Sequence, residues 1–291
     1  MKTTLHRIVT KDHLELVGLL YEPDNGSKEI LVHVHGMAGN FYENKFLDYI
    51  AKTLTDSGVA FFTFNNRGCE YIKDITRIEG DRRYTARIGD TFEKFEDCIL
   101  DIEAAINFVH NKNFSEIHLS GHSLGSPKTA YYISNTKDHR IKSLLFLSPA
   151  DMVGLAIADK NFEKDMKLAN GMIEQGKGDE VMPTMVWGES YLSADTFVNL
   201  ASKKSKVAIF NLYDKDDKLE VLSTISIPTI VMMGKRDGAL TVPVEQLMER
   251  IKKALKSSSK VETVVLGEAN HGYDGYEQKP ADEINQWIQK M

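Results

Sequence analysis

The amino-acid sequence predicts an α/β protein: a mostly parallel, doubly wound sheet with a helical cap inserted after the sixth strand. Three observations predict it. Short apolar runs rich in β-branched and aromatic residues recur along the chain, helical patterns follow most of them, and one long stretch, 151–226, breaks that rhythm.

Taken in order, residues 5–21 alternate apolar and polar side chains, which reads as an antiparallel hairpin adding edge strands. Strands follow at 29–35, 59–64, 116–120, 143–147, 227–233 and 261–266. Their near-continuous apolarity is what a parallel strand covered on both faces requires. Phe92, Phe95, Ile99, Ile102, Ile106 and Val109 stand three and four apart, laying one apolar stripe along a helix. Val244, Leu247, Met248, Ile251 and Leu255 repeat the pattern, as do Ile284, Trp287 and Ile288. The stretch 151–226 shows no buried strand, but carries Met152, Met166, Met172, Met182, Met185, Trp187, Tyr191 and Phe197. A connection that long inside a compact domain is usually a lid or subdomain. The expected division is a core of 1–150 and 227–291 with a mostly helical cap of 151–226, whose Met and aromatic residues form its own centre or line a pocket.

Composition narrows the function. The 291 residues carry 36 Lys and Arg against 42 Asp and Glu, a net charge of −6, so no basic footprint for a nucleic acid is present. No apolar run is long enough to span a bilayer, and the N-terminus lacks the apolar region of a signal peptide. The cytoplasm is the expected location. Cys69 and Cys98 form no C-x-x-C pair and read as free thiols, so a metal site is not expected. The sequence leaves the oligomeric state open.

The chemistry concentrates in four loops. Gly121-His-Ser-Leu-Gly125 lies between a predicted strand and a predicted helix, which is the setting of a nucleophile elbow. A serine at the tip of such a turn is strained, and glycines flank it because larger side chains would clash. By chance G-x-S-x-G occurs in roughly one chain of this length in ten, so the motif needs support. Three further features supply it. His35-Gly36-Met37 follows the 29–35 strand and is placed to offer the Met37 N–H, beside the Leu124 N–H at the start of the helix, to an oxyanion. Asp237 follows the next-to-last strand, and His271 the last. Ser123, Asp237 and His271 therefore read as nucleophile, orienting acid and base, in the chain order expected of this arrangement.

From about residue 5 to the C-terminus, with 151–226 less well matched, the sequence resembles the α/β-hydrolase superfamily, nearest to small capped serine esterases and acyl hydrolases. Phe64-Asn-Asn-Arg-Gly68 is similar to the D-x-R-G segment after the fourth strand, with Asn65 where an acid is frequent. The resemblance implies hydrolysis of a small-molecule ester or acyl substrate through an acyl-enzyme, without a cofactor. Thioesterase, amidase and carbon–carbon hydrolase chemistry share the same geometry, and a non-catalytic ligand-binding protein on this fold is the alternative of another class. Asp151 competes with Asp237 as the acid, because some members carry it after the sixth strand. His35 and His122 read as structural. The Arg- and Asp-rich loop from Gly68 to Asp90 is a candidate pocket wall, or simply a solvated loop.

Overall fold

The structure is a computed structural model in which residues 1–188 and 190–291 are described. The chain opens with the antiparallel pair β1 (Lys2–Val9) and β2 (Glu15–Glu22), as the alternation of 5–21 implies. Then come β3 (Glu29–Val34), α1 (Phe46–Asp56), β4 (Ala60–Phe64), the hairpin β5 (Lys73–Glu79) and β6 (Arg82–Ile88), and α2 (Cys98–Asn111). The second half of the sheet is β7 (Glu116–His122), α3 (Gly125–Thr136), β8 (Ile141–Leu147), β9 (Thr229–Met233), α8 (Val244–Ala254), β10 (Val261–Val265) and α9 (Gln278–Ile288). Between β8 and β9 lie α4 (Met152–Ala158), α5 (Phe162–Glu174), α6 (Ala194–Ala201) and α7 (Glu220–Ser223).

The eight-stranded sheet runs β1-β2-β4-β3-β7-β8-β9-β10. From β4 to β10 all pairings are parallel, and β2 joins β4 antiparallel. Counted within this sheet alone, β8 is its sixth strand, so the long connection leaves where the sequence places it.

Strand after strand divides its side chains between two apolar layers. Ile30, Val32 and Val34 of β3, Phe62 and Phe64 of β4, Leu144 and Phe146 of β8 and Val231 and Met233 of β9 face one layer, with Ile102 and Ile106 of α2 and Leu247 and Ile251 of α8. Leu31, Phe61, Leu145, Leu147, Ile230 and Met232 face the other, against Phe46 and Ile50 of α1 and Ile284 and Trp287 of α9. Burial on both faces explains why these strands carry no polar alternation.

Two expectations need correction. The Gly68–Asp90 loop contains the antiparallel pair β5–β6, joined by a two-residue Gly80-Asp81 turn with Gly80 at φ +59°. Its strands are charged, β5 half-buried and β6 largely exposed, so apolar periodicity did not reveal them; the Gly-Asp turn was the available signal. The stretch 151–226 is less helical than expected. Its helices cover under half of it, and irregular chain rich in Gly, Lys, Asp and Ser, with isolated bridges Val181–Ser193 and Val186–Ser190, makes up the rest. Nor does it enclose a separate centre: Val153, Phe197, Leu200, Phe210 and Leu212 join the apolar layer of the sheet, Phe210 edge-on to Phe146 at 5.2 Å.

Candidate active site

The predicted site residues stand on loops at the carboxyl ends of β3, β7, β9 and β10, where ligands bind in open α/β sheets. Ser123 has φ +56°, in the left-handed region, between the end of β7 and the first turn of α3. Contacts hold it there: its N–H donates to Leu147 O at 3.0 Å and its carbonyl accepts from Ser126 N at 3.0 Å. The flanking glycines are required by backbone crowding. A methyl group at Gly121 would stand 2.1 Å from Gly125 O, and one at Gly125 would stand 2.1 Å from Val34 O. At Gly36 it would stand 2.7 Å from Ser123 Cβ, so the loop after β3 lies directly against the serine.

The loops after β9 and β10 also touch. A methyl group at Gly234 would stand 2.0 Å from Ala269 O, and Arg236 N donates to that same carbonyl at 3.2 Å. This contact brings Asp237 to His271, whose Nδ1 lies 2.7 Å from Asp237 Oδ1. The carboxylate has no solvent exposure and also accepts from Ala239 N at 2.9 Å, whereas the imidazole is 35% exposed. Burial alone would raise the Asp237 carboxyl; the bond and charge of His271, the Ser148 hydroxyl and the Ala239 amide outweigh it and hold the group below its ordinary value.

Ser123, His271 and Met37 line one cavity of about 520 Å³, together with Met152, Leu155, Asp159 and Trp187 of the long connection. Leu124 is buried, with its N–H in the turn that opens α3. Met182 and Phe197 of the same long connection are packed in the core, and Met185 and Tyr191 are exposed. Of the connection's Met and aromatic residues, Met152 and Trp187 line the cavity, as one of the two expected roles has it. None of residues 69–90 lines the cavity, so the expected pocket wall from that loop is corrected.

The remaining polar candidates have structural partners. Asp151 caps α4, accepting from Gly154 N at 2.8 Å, Tyr213 N at 2.7 Å and Thr241 Oγ1 at 3.0 Å. It ties three segments together without touching His271. His122 donates its Nε2 proton to His271 O at 2.8 Å, and the two rings lie 4.8 Å apart. His35 donates from Nδ1 to Gly36 O at 2.8 Å and accepts Asn66 N at Nε2, 3.0 Å. Asn65, at the position where an acid is frequent, accepts Phe41 N at 3.1 Å, and Arg67 is bound by Asp12, Asp97 and Asp101. Cys69 and Cys98 are buried free thiols. Sequence patterns missed the His122 tie to the backbone of His271 and the cluster around Lys128, since neither involves a motif of fixed spacing.

Burial pushes His33, His35 and His122 each down to about 3, below the 6.5 of an exposed imidazole. All three are neutral when folded. Their stabilisation is complete above pH 6.5 and is lost as pH falls toward 3, because the unfolded chain takes up protons that the folded chain refuses. Asp90, pushed up to about 7 by burial and Glu93, has the opposite sign and offsets one of the three between pH 7 and 4. Unfolding free energies from denaturant titrations at pH 7 and pH 5 are expected to differ by on the order of 3 kcal/mol, with the midpoint lower in acid. Equal midpoints would mean that these histidines accept protons in the folded state.

Strand order, the strained serine turn and the loop positions define the α/β-hydrolase fold. Est1E from Butyrivibrio proteoclasticus, solved with ferulic acid bound, is similar over 97% of this chain and 98% of its own, at 18% identity and a TM-score of 0.65. DcsB, solved with a substrate analogue, is similar over 99% of both chains at 15% identity and 0.71. The esterase Pf2001 of Pyrococcus furiosus is similar over 99% of this chain and 91% of its own at 17% and 0.65. Within that fold the chain belongs to the DUF1749 family, described as a protein of unknown function, whose model matches residues 95–291. No curated protein matches the chain by sequence. Among the described residues, no helix is long and apolar enough to cross a membrane.

Proposed function

We propose that the protein is a serine hydrolase that cleaves carboxylic esters of small molecules through an acyl-enzyme. The observation that carries this reading is the 2.7 Å bond from a buried Asp237 to His271, with the imidazole and Ser123 on the wall of one cavity. His271 takes the Ser123 proton as the oxygen attacks the carbonyl carbon. The Leu124 and Met37 N–H groups hold the oxyanion; His271 then passes its proton to the departing alcohol, and water repeats the cycle to release the acid. Asp237 keeps the imidazole in one tautomer and stabilises its protonated form. The esterase names of similar folds and the predominantly apolar wall support an ester with an apolar acyl or alcohol part. Residues 151–226 act as the cap, a reading supported by Met152, Leu155 and Trp187 on the cavity wall.

A panel of p-nitrophenyl esters of rising chain length tests this proposal, with a fluorophosphonate probe and mass spectrometry to find the labelled residue. Turnover with labelling at Ser123 is expected; labelling elsewhere, or no turnover of any ester, sinks it. Asp151→Ala separates the two candidate acids. It strands three donors and removes a cap, so a loss of about 2–4 kcal/mol of stability is expected, with kcat/KM held within about tenfold while the chain is folded. A collapse of kcat at unchanged stability would transfer the acid's role to Asp151.

A further inference from the structure

Lys128 is the unexplained residue of the nucleophile helix. It lies in α3 five positions after Ser123, has no solvent exposure, and pairs with an equally buried Glu93 at 2.5 Å. Taking two charges out of water costs several kcal/mol each, and a buried pair is weak evidence of a stabilising role. The ammonium has a further partner: Nζ donates to Asn66 Oδ1 at 3.2 Å.

Asn66 in turn grips His35 at two points. Its side-chain Nδ2 donates to His35 O at 3.2 Å and its backbone N–H donates to His35 Nε2 at 3.0 Å. Because Nε2 accepts, the imidazole proton sits on Nδ1, from which it is donated to Gly36 O at 2.8 Å. Gly39 N donates to the same carbonyl at 3.3 Å. A trans peptide is planar, with its N–H opposite its C=O, so fixing the Gly36 carbonyl toward the His35 ring turns the Met37 N–H away from it. The loop that carries this peptide presses on Ser123, leaving no room for a methyl group at Gly36.

We propose that Lys128 is a positioning residue: through Asn66 and His35 it sets the orientation of the Gly36–Met37 peptide beside Ser123, and with it the oxyanion donor of Met37. The inference rests on the serine-hydrolase reading above. Three loops and one helix are joined by this chain of contacts, so the distance between nucleophile and oxyanion donor follows from the lysine. A protonated imidazole could not accept the Asn66 N–H. Lys128 helps to exclude it by repulsion, as do His33 and His122 wherever they carry charge, while Glu93 pairs with the ammonium and Asp90 stands near both.

The test uses an aryl ester and the matching O-aryl thionoester, in which sulfur replaces the carbonyl oxygen. Sulfur is a poor acceptor for oxyanion donors, so a faulty donor slows the ester and spares the thionoester, whereas general loosening of the fold slows both. For Lys128→Met, kcat on the ester is expected to fall about 100-fold with KM within about twofold, and the thionoester rate to fall less than about threefold. The double variant Lys128→Met with Glu93→Gln removes the buried charges together and is expected to give the same collapse of the ester-to-thionoester ratio, which covers a single variant that does not fold. Equal losses on both substrates, or none on either, overturn the role of Lys128 while activity through Ser123 stands. Undiminished ester turnover in Ser123→Ala overturns the serine reading and this inference with it.

Discussion

Ser123→Ala is expected to lower kcat on p-nitrophenyl butyrate by about a millionfold, while leaving the thermal midpoint within a few degrees of the parent chain. The size follows from what the hydroxyl does in the proposed cycle: without it no acyl-enzyme forms, and neither His271 nor the oxyanion donors can replace the missing bond. The small change in stability follows from the site. The strain at Ser123 sits in its backbone, at φ +56°, and Oγ engages no hydrogen-bond partner among the described residues. Stopped-flow assays at high enzyme concentration check the rate, and calorimetry checks the fold. Residual turnover within tenfold of the parent would assign the chemistry to another nucleophile.

The second large effect is expected at the acid. Asp237→Asn should reduce kcat by about 10,000-fold at neutral pH with little change in KM. Asp237 Oδ1 accepts at once from His271 Nδ1 and Ala239 N. An amide keeps the shape of the carboxyl but loses its charge. Turned so that its NH₂ meets the imidazole, it favours the tautomer with the proton on Nε2, where a base must have a free lone pair. Because the carboxyl is held below its ordinary value, the parent enzyme keeps its acid ionised well below neutrality. A pH–rate profile of both proteins decides the matter: if the variant keeps the parent's kcat, Asp237 is not the orienting acid.

The legibility of this chain followed the physics of each signal. Apolar runs marked the strands of the main sheet: all six became strands of it, five of them largely buried and the sixth, β10, a half-buried edge strand. The α2 stripe was only partly helical. Phe92 and Phe95 fall in short 3-10 turns, and the α-helix begins at Cys98, because apolar spacing marks a buried face and does not fix the hydrogen-bond pattern at a helix start. Charged β5 and β6, half-buried and largely exposed respectively, carried too little apolar pattern to be read as strands. The site was legible where backbone geometry restricts residue type, as at Gly36, Gly121 and Gly125, each crowded by neighbouring atoms. What could not be read were contacts set by tertiary approach: Lys128 with Glu93, 35 positions earlier in the chain, and His122 with the carbonyl of His271.

The long connection between β8 and β9 shares its apolar centre with the sheet, through Phe210 against Phe146 and through Val153 and Leu212. A roof continuous with its floor cannot swing open as a rigid flap without wetting that joint. On the proposed reading of this stretch as a cap, opening is therefore expected to move single side chains and turns while that joint stays closed.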